Sequence, residues 1–122
     1  MKNNKLFKDL TILIATIPER KLYLKRVIDY YSQFSCKIVV VGPNKEFRNI
    51  IKKQNVKYVF YDKKHHTIEH LKKWLIAFSF IKTKFVINLA DDDFVLPSYL
   101  IKSVKILKRN KEYSCVEAFS LR

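Results

Sequence analysis

The chain has 122 residues, 48% hydrophobic and 14% aromatic, with 25 Lys and Arg against 11 Asp and Glu, a formal net charge of +14. That length supports one domain with a real hydrophobic core, and the apolar share excludes a disordered chain. The basic excess favours anionic partners (nucleic acid, acidic headgroups, nucleotide phosphates), although scattered lysines also describe a solvated basic face, and no apolar run approaches the ~20 residues that cross a bilayer.

The opening MKNNKLFKDLTILIAT carries Asp9 beside its short apolar stretch and has no small-residue cleavage site, so it reads as a first strand and not a signal peptide. Leu10–Ala15 (LTILIA) is that strand, all apolar and rich in β-formers. Thr16-Ile17-Pro18-Glu19-Arg20 makes a turn, because Pro18 cannot continue the ladder. From Lys21 to Phe34 the residues Leu24, Val27, Ile28, Tyr31 and Phe34 recur at helical spacing. Cys36–Val41 (CKIVVV) is a second strand, stopped by Gly42-Pro43-Asn44. Gly42 is the only glycine, which points to a positive φ or a close backbone approach at that turn.

Glu46–Gln54 reads as a short helix and Val56–Tyr61 (VKYVFY) as a third strand. Thr67–Ile81 places Ile68, Leu71, Trp74, Leu75, Phe78 and Ile81 on one inward stripe, with Lys72 and Lys73 toward the flanks. Phe85–Ala90 (FVINLA) is a strand buried on both faces, Pro97 opens a helix that runs to about Arg109, and Tyr113–Phe119 (YSCVEAF) is a last strand. Strands alternating with helix-length connections predict an α/β fold, with helices on both faces of a mostly parallel sheet of about five strands, and one domain over residues 1–122. Cys36 and Cys115 sit in apolar, strand-like contexts with no disulfide framework, which makes a reducing, cytoplasmic setting the default.

The chemistry concentrates in Asp91-Asp92-Asp93, where the buried strand must surface. Ligands of open α/β sheets bind at the carboxyl ends of the strands, where these acids fall. In an extended segment Asp91 and Asp93 face together, about 6.5–7 Å apart at Cα, a pairing suited to one hard cation that also takes ligand phosphate. The alternative is a set of acids at the N-terminus of the following helix, for which one would do. Thr16 and Arg20, at the exit of the first strand, are placed to contact a base, ribose or phosphate, or else form only a Pro18-stiffened turn. Lys72 or Lys73 would reach a diphosphate, or be solvated. His66 and His70 are four apart but lack further ligands for zinc. No GxGxxG or GxxxxGK[ST] occurs, so phosphate would be held by metal and basic side chains and not by a glycine-rich nest.

LTILIAT, VKYVFY and above all KTKFVINLADDDFVLPSYL resemble the nucleotide-binding half of family 2-like glycosyltransferases of the GT-A fold. The resemblance spans nearly the whole chain and implies a Rossmann-like α/β/α domain binding a nucleoside-diphosphate sugar, with a UDP-sugar as the leading donor. It implies Mn²⁺ or Mg²⁺ between the acidic motif and the diphosphate, and transfer to a glycan or lipid-linked acceptor in cell-surface polysaccharide synthesis. Carried over by position, Thr16 lies near the nucleoside, Arg20 is the basic residue that follows, and Asp91–Asp93 are the acidic motif, with one acid nearer the ribose and one on the metal. The donor-contact set is then Thr16, Pro18, Arg20, Gly42, Lys72, Lys73, Asp91 and Asp92, with Asp91 and Asp93 as metal ligands. The family's acidic residue after the second strand is replaced by Gly42-Pro43-Asn44, and the acceptor half with its catalytic base lies outside this sequence, which makes a domain incomplete relative to a full enzyme the expectation. Two rivals stand beside this reading: a non-catalytic basic module for nucleic acid or an anionic membrane, and an inactive truncated transferase. The first is disfavoured for nucleic acid because no stripe interleaves basic and aromatic residues; peripheral contact with the inner membrane face stays open.

Overall fold

The computed structural model describes residues 4–50, 53–62 and 67–117. Strands β1 (Leu10–Ala15), β2 (Lys37–Gly42), β3 (Val56–Phe60) and β4 (Phe85–Ala90) form one sheet in the order β3-β2-β1-β4. Every pairing is parallel, and Ala15 stands opposite both Val41 and Ala90, so the carboxyl ends of β1, β2 and β4 finish level. Helices α1 (Lys21–Tyr31), α2 (Phe47–Ile50), α3 (Thr67–Phe78) and α4 (Pro97–Arg109) supply the connections. The result is the Rossmann-like α/β architecture expected from the alternation of elements.

The layers follow from which side chains each strand sends up or down. Ile12, Ile14, Ile38, Val40 and Leu89 meet Leu24, Val27, Ile28 and Tyr31 of α1, Phe47 of α2 and Leu100, Ile101 and Val104 of α4. Leu13, Val39, Val41 and Val59 point the other way, onto Trp74, Ala77 and Ile81 on and just after α3. The central strands β1 and β2 are therefore buried on both faces, the reason they read as unbroken apolar runs.

Three expectations are corrected. β4 alternates instead of being buried throughout: Val86, Asn88 and Ala90 are exposed, because β4 closes the described sheet and only one of its faces is covered. The described sheet has four strands and not five; residues 113–117 are irregular, with Tyr99 donating to the Glu117 carbonyl, and residues 118–119 of the expected strand lie outside the described residues. The second helix is a single turn, Phe47–Ile50, with residues 51–52 also outside them. Among the described residues no helix is long and apolar enough to cross a membrane.

Tyr31, at the end of α1, ties the helix layer to the loop after β4. Its hydroxyl donates to the Val95 carbonyl at 2.8 Å and accepts from the Val95 N–H. Burial pushes its phenol up to about 12 from the usual 10.0, and pushes the buried Cys36 thiol up to about 11 from 9.0. Folded values above unfolded ones mean stability that is complete below the unfolded pKa and lost as pH rises through the folded one. Urea midpoints should accordingly fall between about pH 9 and pH 12. Tyr31→Phe should flatten the upper part of that arm and lose about 1–2 kcal/mol at neutral pH with its Val95 contacts; a flat wild-type profile would contradict this. A disulfide-exchange thiol reagent should label the exposed Cys115 in the native chain and reach the buried Cys36 only in denaturant.

Candidate functional site

The exit of β1 is built to hold Thr16 and Arg20 in place. The Thr16 N–H donates to Val41 O at 3.0 Å, which carries the ladder one step past the strand, and Thr16 is 1% exposed. Ile17 stays extended, and Pro18 then opens a 3₁₀ turn over Pro18–Arg20 that delivers Arg20 to the head of α1. Gly42 lies directly beside this exit. It does not adopt a positive φ; what it supplies is room, since a Cβ there would stand 2.8 Å from Thr16 Cγ2, 2.9 Å from the Tyr58 hydroxyl and 3.3 Å from Thr16 O. Of the two reasons offered for this glycine, close approach is the one that applies.

At the exit of β4 the acids leave extended geometry at once. Asp91 and Asp92 form a turn closed by Asp93 N–H donating to Ala90 O at 3.2 Å, so strand alternation does not pair Asp91 with Asp93. Asp91 is 5% exposed: its Oδ2 accepts from Thr16 Oγ1 at 2.9 Å and its Oδ1 from Arg20 Nη1 at 3.3 Å. The same Arg20 nitrogen reaches Asp92 Oδ2 at 2.5 Å. These two carboxylates, the Asp92 hydrogen bond foremost, hold the Arg20 guanidinium above its ordinary range. The acids do not cap α4: its N-cap is Leu96, with no side-chain cap, and Pro97 starts the helix. The capping alternative is thereby removed. Phe94, stacked on Tyr31 and edge-on to Tyr30, with Val95 on the Tyr31 hydroxyl, fixes the segment that follows.

The third wall comes from α3, and here the helical stripe read from the sequence is rotated. Lys73 is 3% exposed, whereas Leu71 and Leu75 are 59% and 69% exposed. Lys73 Nζ donates to Thr16 O at 3.1 Å. Burial lowers its pKa, and the Asp91 charge works against that shift. The Thr16 carbonyl and the nearby Asp91 charge account for the rotation: turning Leu71 and Leu75 inward would swing Lys73 away from both. His70 lies one turn earlier, its Nε2 accepting from Trp74 Nε1 at 2.8 Å, which places the ring proton on Nδ1. Its suggested partner His66 lies outside the described residues.

Ala15, Thr16, Ile17, Arg20, His70, Lys73 and Asp91 enclose a hollow of about 170 Å³ at the carboxyl ends of β1 and β4. Of the residues singled out by sequence, Thr16, Arg20, Lys73 and Asp91 converge there and Asp92 joins through Arg20; Pro18 and Gly42 support Thr16 and Arg20 from behind, and Lys72 and Asp93 are exposed outside the lining. His70, weighed from the sequence only as half of a zinc pair, lines the hollow, and Tyr31, read only as an inward residue of its helix, holds Val95 in the loop after the acids. Among the described residues no three His, Cys, Asp or Glu side chains are grouped to hold a metal ion, so a cation here would take part of its shell from its ligand. Compared with protein-family models, curated proteins and solved structures, the chain gives no match. Gly42→Ala should force Thr16 off its position and destabilise the fold by about 1–3 kcal/mol, read from urea midpoints; an unchanged midpoint would mean the β1 exit has slack that its contacts do not suggest.

Proposed function

We propose that this chain is the donor-binding domain of a family 2-like glycosyltransferase, taking a nucleoside-diphosphate sugar, UDP-linked in the first instance, for transfer to a glycan or lipid-linked acceptor. The observation that carries the reading is the meeting of Thr16 and Arg20 from β1 with Asp91 and Asp92 from β4. The connection after β1 leads to β2 on one side, while β4 lies on the other, so these residues stand at the point where the strand order reverses. Open α/β sheets bind ligands at that crevice. Cytoplasmic residence and a place in surface-polysaccharide synthesis belong to the same proposal.

The residues present fit a divalent cation in one arrangement. Asp91 has both oxygens engaged by Thr16 and Arg20, so it is the poorer ligand; Asp92, with one oxygen on Arg20, and the exposed Asp93 would hold Mn²⁺ or Mg²⁺. When bound, such an ion offsets the charge of the departing nucleoside diphosphate. Arg20 is 42% exposed at its side chain and is the cation that can exchange a carboxylate for a phosphate oxygen without crossing the core. Asp91, held by Thr16 and opposed by Lys73, stays as the fixed anion that orients Arg20 and presents an acceptor oxygen toward ribose hydroxyls. The base that takes the acceptor proton is assigned to chain beyond these residues.

Calorimetry with UDP in the presence and absence of Mn²⁺ tests the proposal. Asp92→Asn should weaken Mn²⁺-linked binding by about tenfold or more and leave the melting curve in place. Arg20→Ala should weaken UDP at every Mn²⁺ concentration by a similar factor while easing access of the cation to Asp92. Metal-independent binding, or none by a folded sample, sinks the reading.

A further inference from the structure

At the opposite end of the strands lies a second hollow, of about 290 Å³, that the candidate site does not use. Three lysines from three separate elements border it: Lys37 opening β2, Lys57 in β3, and Lys82 between α3 and β4. Gln54, Asn55 and the half-open ring of Phe80 complete the rim. Register puts two of them on one face, because Lys57 stands opposite Val39, and Thr11 opposite Lys37, on the sheet side that α3 covers; Lys82 joins them from the connection between α3 and β4. Among the described residues no carboxylate borders this hollow. In the adjoining depression Asp29 is already engaged by Lys25 and Lys53.

Lysines beside a helix end often serve its free carbonyls. That role is filled here. Ile76 O accepts from Ser79 N and Ser79 Oγ, Ala77 O from Phe80 N, and Phe78 O from Ile81 N. Lys57 instead lies over the Phe80 ring, 5.1 Å from its centroid. Three ammonium groups around one concavity repel one another unless an anion sits between them.

We propose that this basic hollow binds a phosphate-bearing anion, with Lys37, Lys57 and Lys82 as its charge partners and Phe80 as an apolar wall. Lys37 is level with Thr11, five residues of strand or about 17 Å from the level of Thr16 and Asp91, and the two hollows share no lining residue, so this is a different site and does not depend on the glycosyltransferase reading. Phosphate of this kind reaches the protein either free in solution or on a lipid headgroup.

Two arms with EDTA throughout, which silences any metal-linked binding at the acidic end, distinguish these sources: calorimetric titration with inorganic pyrophosphate, and co-sedimentation with phosphatidylglycerol vesicles against phosphatidylcholine. The double variant Lys37→Gln/Lys82→Gln changes exposed side chains, and circular dichroism checks that it folds. Pyrophosphate binding that falls about tenfold in this variant and is unchanged in Arg20→Ala assigns the site to soluble phosphate. Vesicle binding with the same dependence, without pyrophosphate binding, assigns it to headgroups. Binding in neither arm, or binding that follows Arg20→Ala and ignores the lysine pair, overturns the proposal.

Discussion

The structure turns on one buried carboxylate. Asp91 is 5% exposed, and a charge taken that far from water is tolerated only with compensation close by. Thr16, Arg20 and Lys73 provide it, each from a different element, and each is itself fixed by the need. The contact rests on register: Ala15 stands opposite Ala90, so Thr16 and Asp91 are the next residues out on adjacent strands. A slip of one residue between β1 and β4 would turn Asp91 to the wrong face and leave the charge unpaired, so the same pair that forms the site also specifies the strand pairing.

A chain with one glycine has few ways to bring backbone up to a ligand. Phosphate nests depend on successive N–H groups in conformations that glycine makes cheap. Here the single glycine is used to admit Thr16 and not to cradle anything, and recognition is left to side chains. The scaffold around them is correspondingly tight. Pro18 limits the approach to Arg20, and Tyr31 holds the loop after the acids through both polar groups of Val95. What can move is the Arg20 guanidinium with its partner Asp92, the exposed members of the ion cluster.

Most of the fold was legible because β1, β2 and the helices that pack on them have one dominant signal each. Unbroken apolar runs gave the central strands, and Leu24, Val27, Ile28 and Tyr31 gave the inward face of α1. The acids, Thr16 and Arg20 were legible too, since charged or polar residues at strand exits have few structural reasons to cluster. What sequence periodicity missed was α3. Counting apolar residues orients that helix by Leu71, Trp74 and Leu75, but the side chain buried instead is Lys73, which donates to Thr16 O near the Asp91 charge. Burying Lys73 without Thr16 O and Asp91 would cost several kcal/mol, comparable with the roughly 1.5–3 kcal/mol forgone for each of the two exposed leucines. Nothing local announces which lysine of the pair Lys72-Lys73 will find a partner 57 residues away. The exposure of Val86, Asn88 and Ala90 was hidden for a related reason: whether a strand is central or at an edge is a property of its neighbours, not of FVINLA.

A formal charge of +14 would seem to doom an acidic site to self-neutralisation, yet distance decides otherwise. Lys37, Lys57 and Lys82 sit toward the amino ends of the strands, and Lys37, level with Thr11, is five residues or about 17 Å along the strand from the level of Asp91. At physiological ionic strength the screening length is about 8 Å, so exposed charges that far apart scarcely feel each other. Arg20 hydrogen-bonds Asp91 and Asp92, and Lys73, buried on the Thr16 side, feels the Asp91 charge. Among the described residues these two cations face three acids, Asp91, Asp92 and Asp93, an excess of one negative charge. A small cation carrying an anionic ligand is compatible with that remainder.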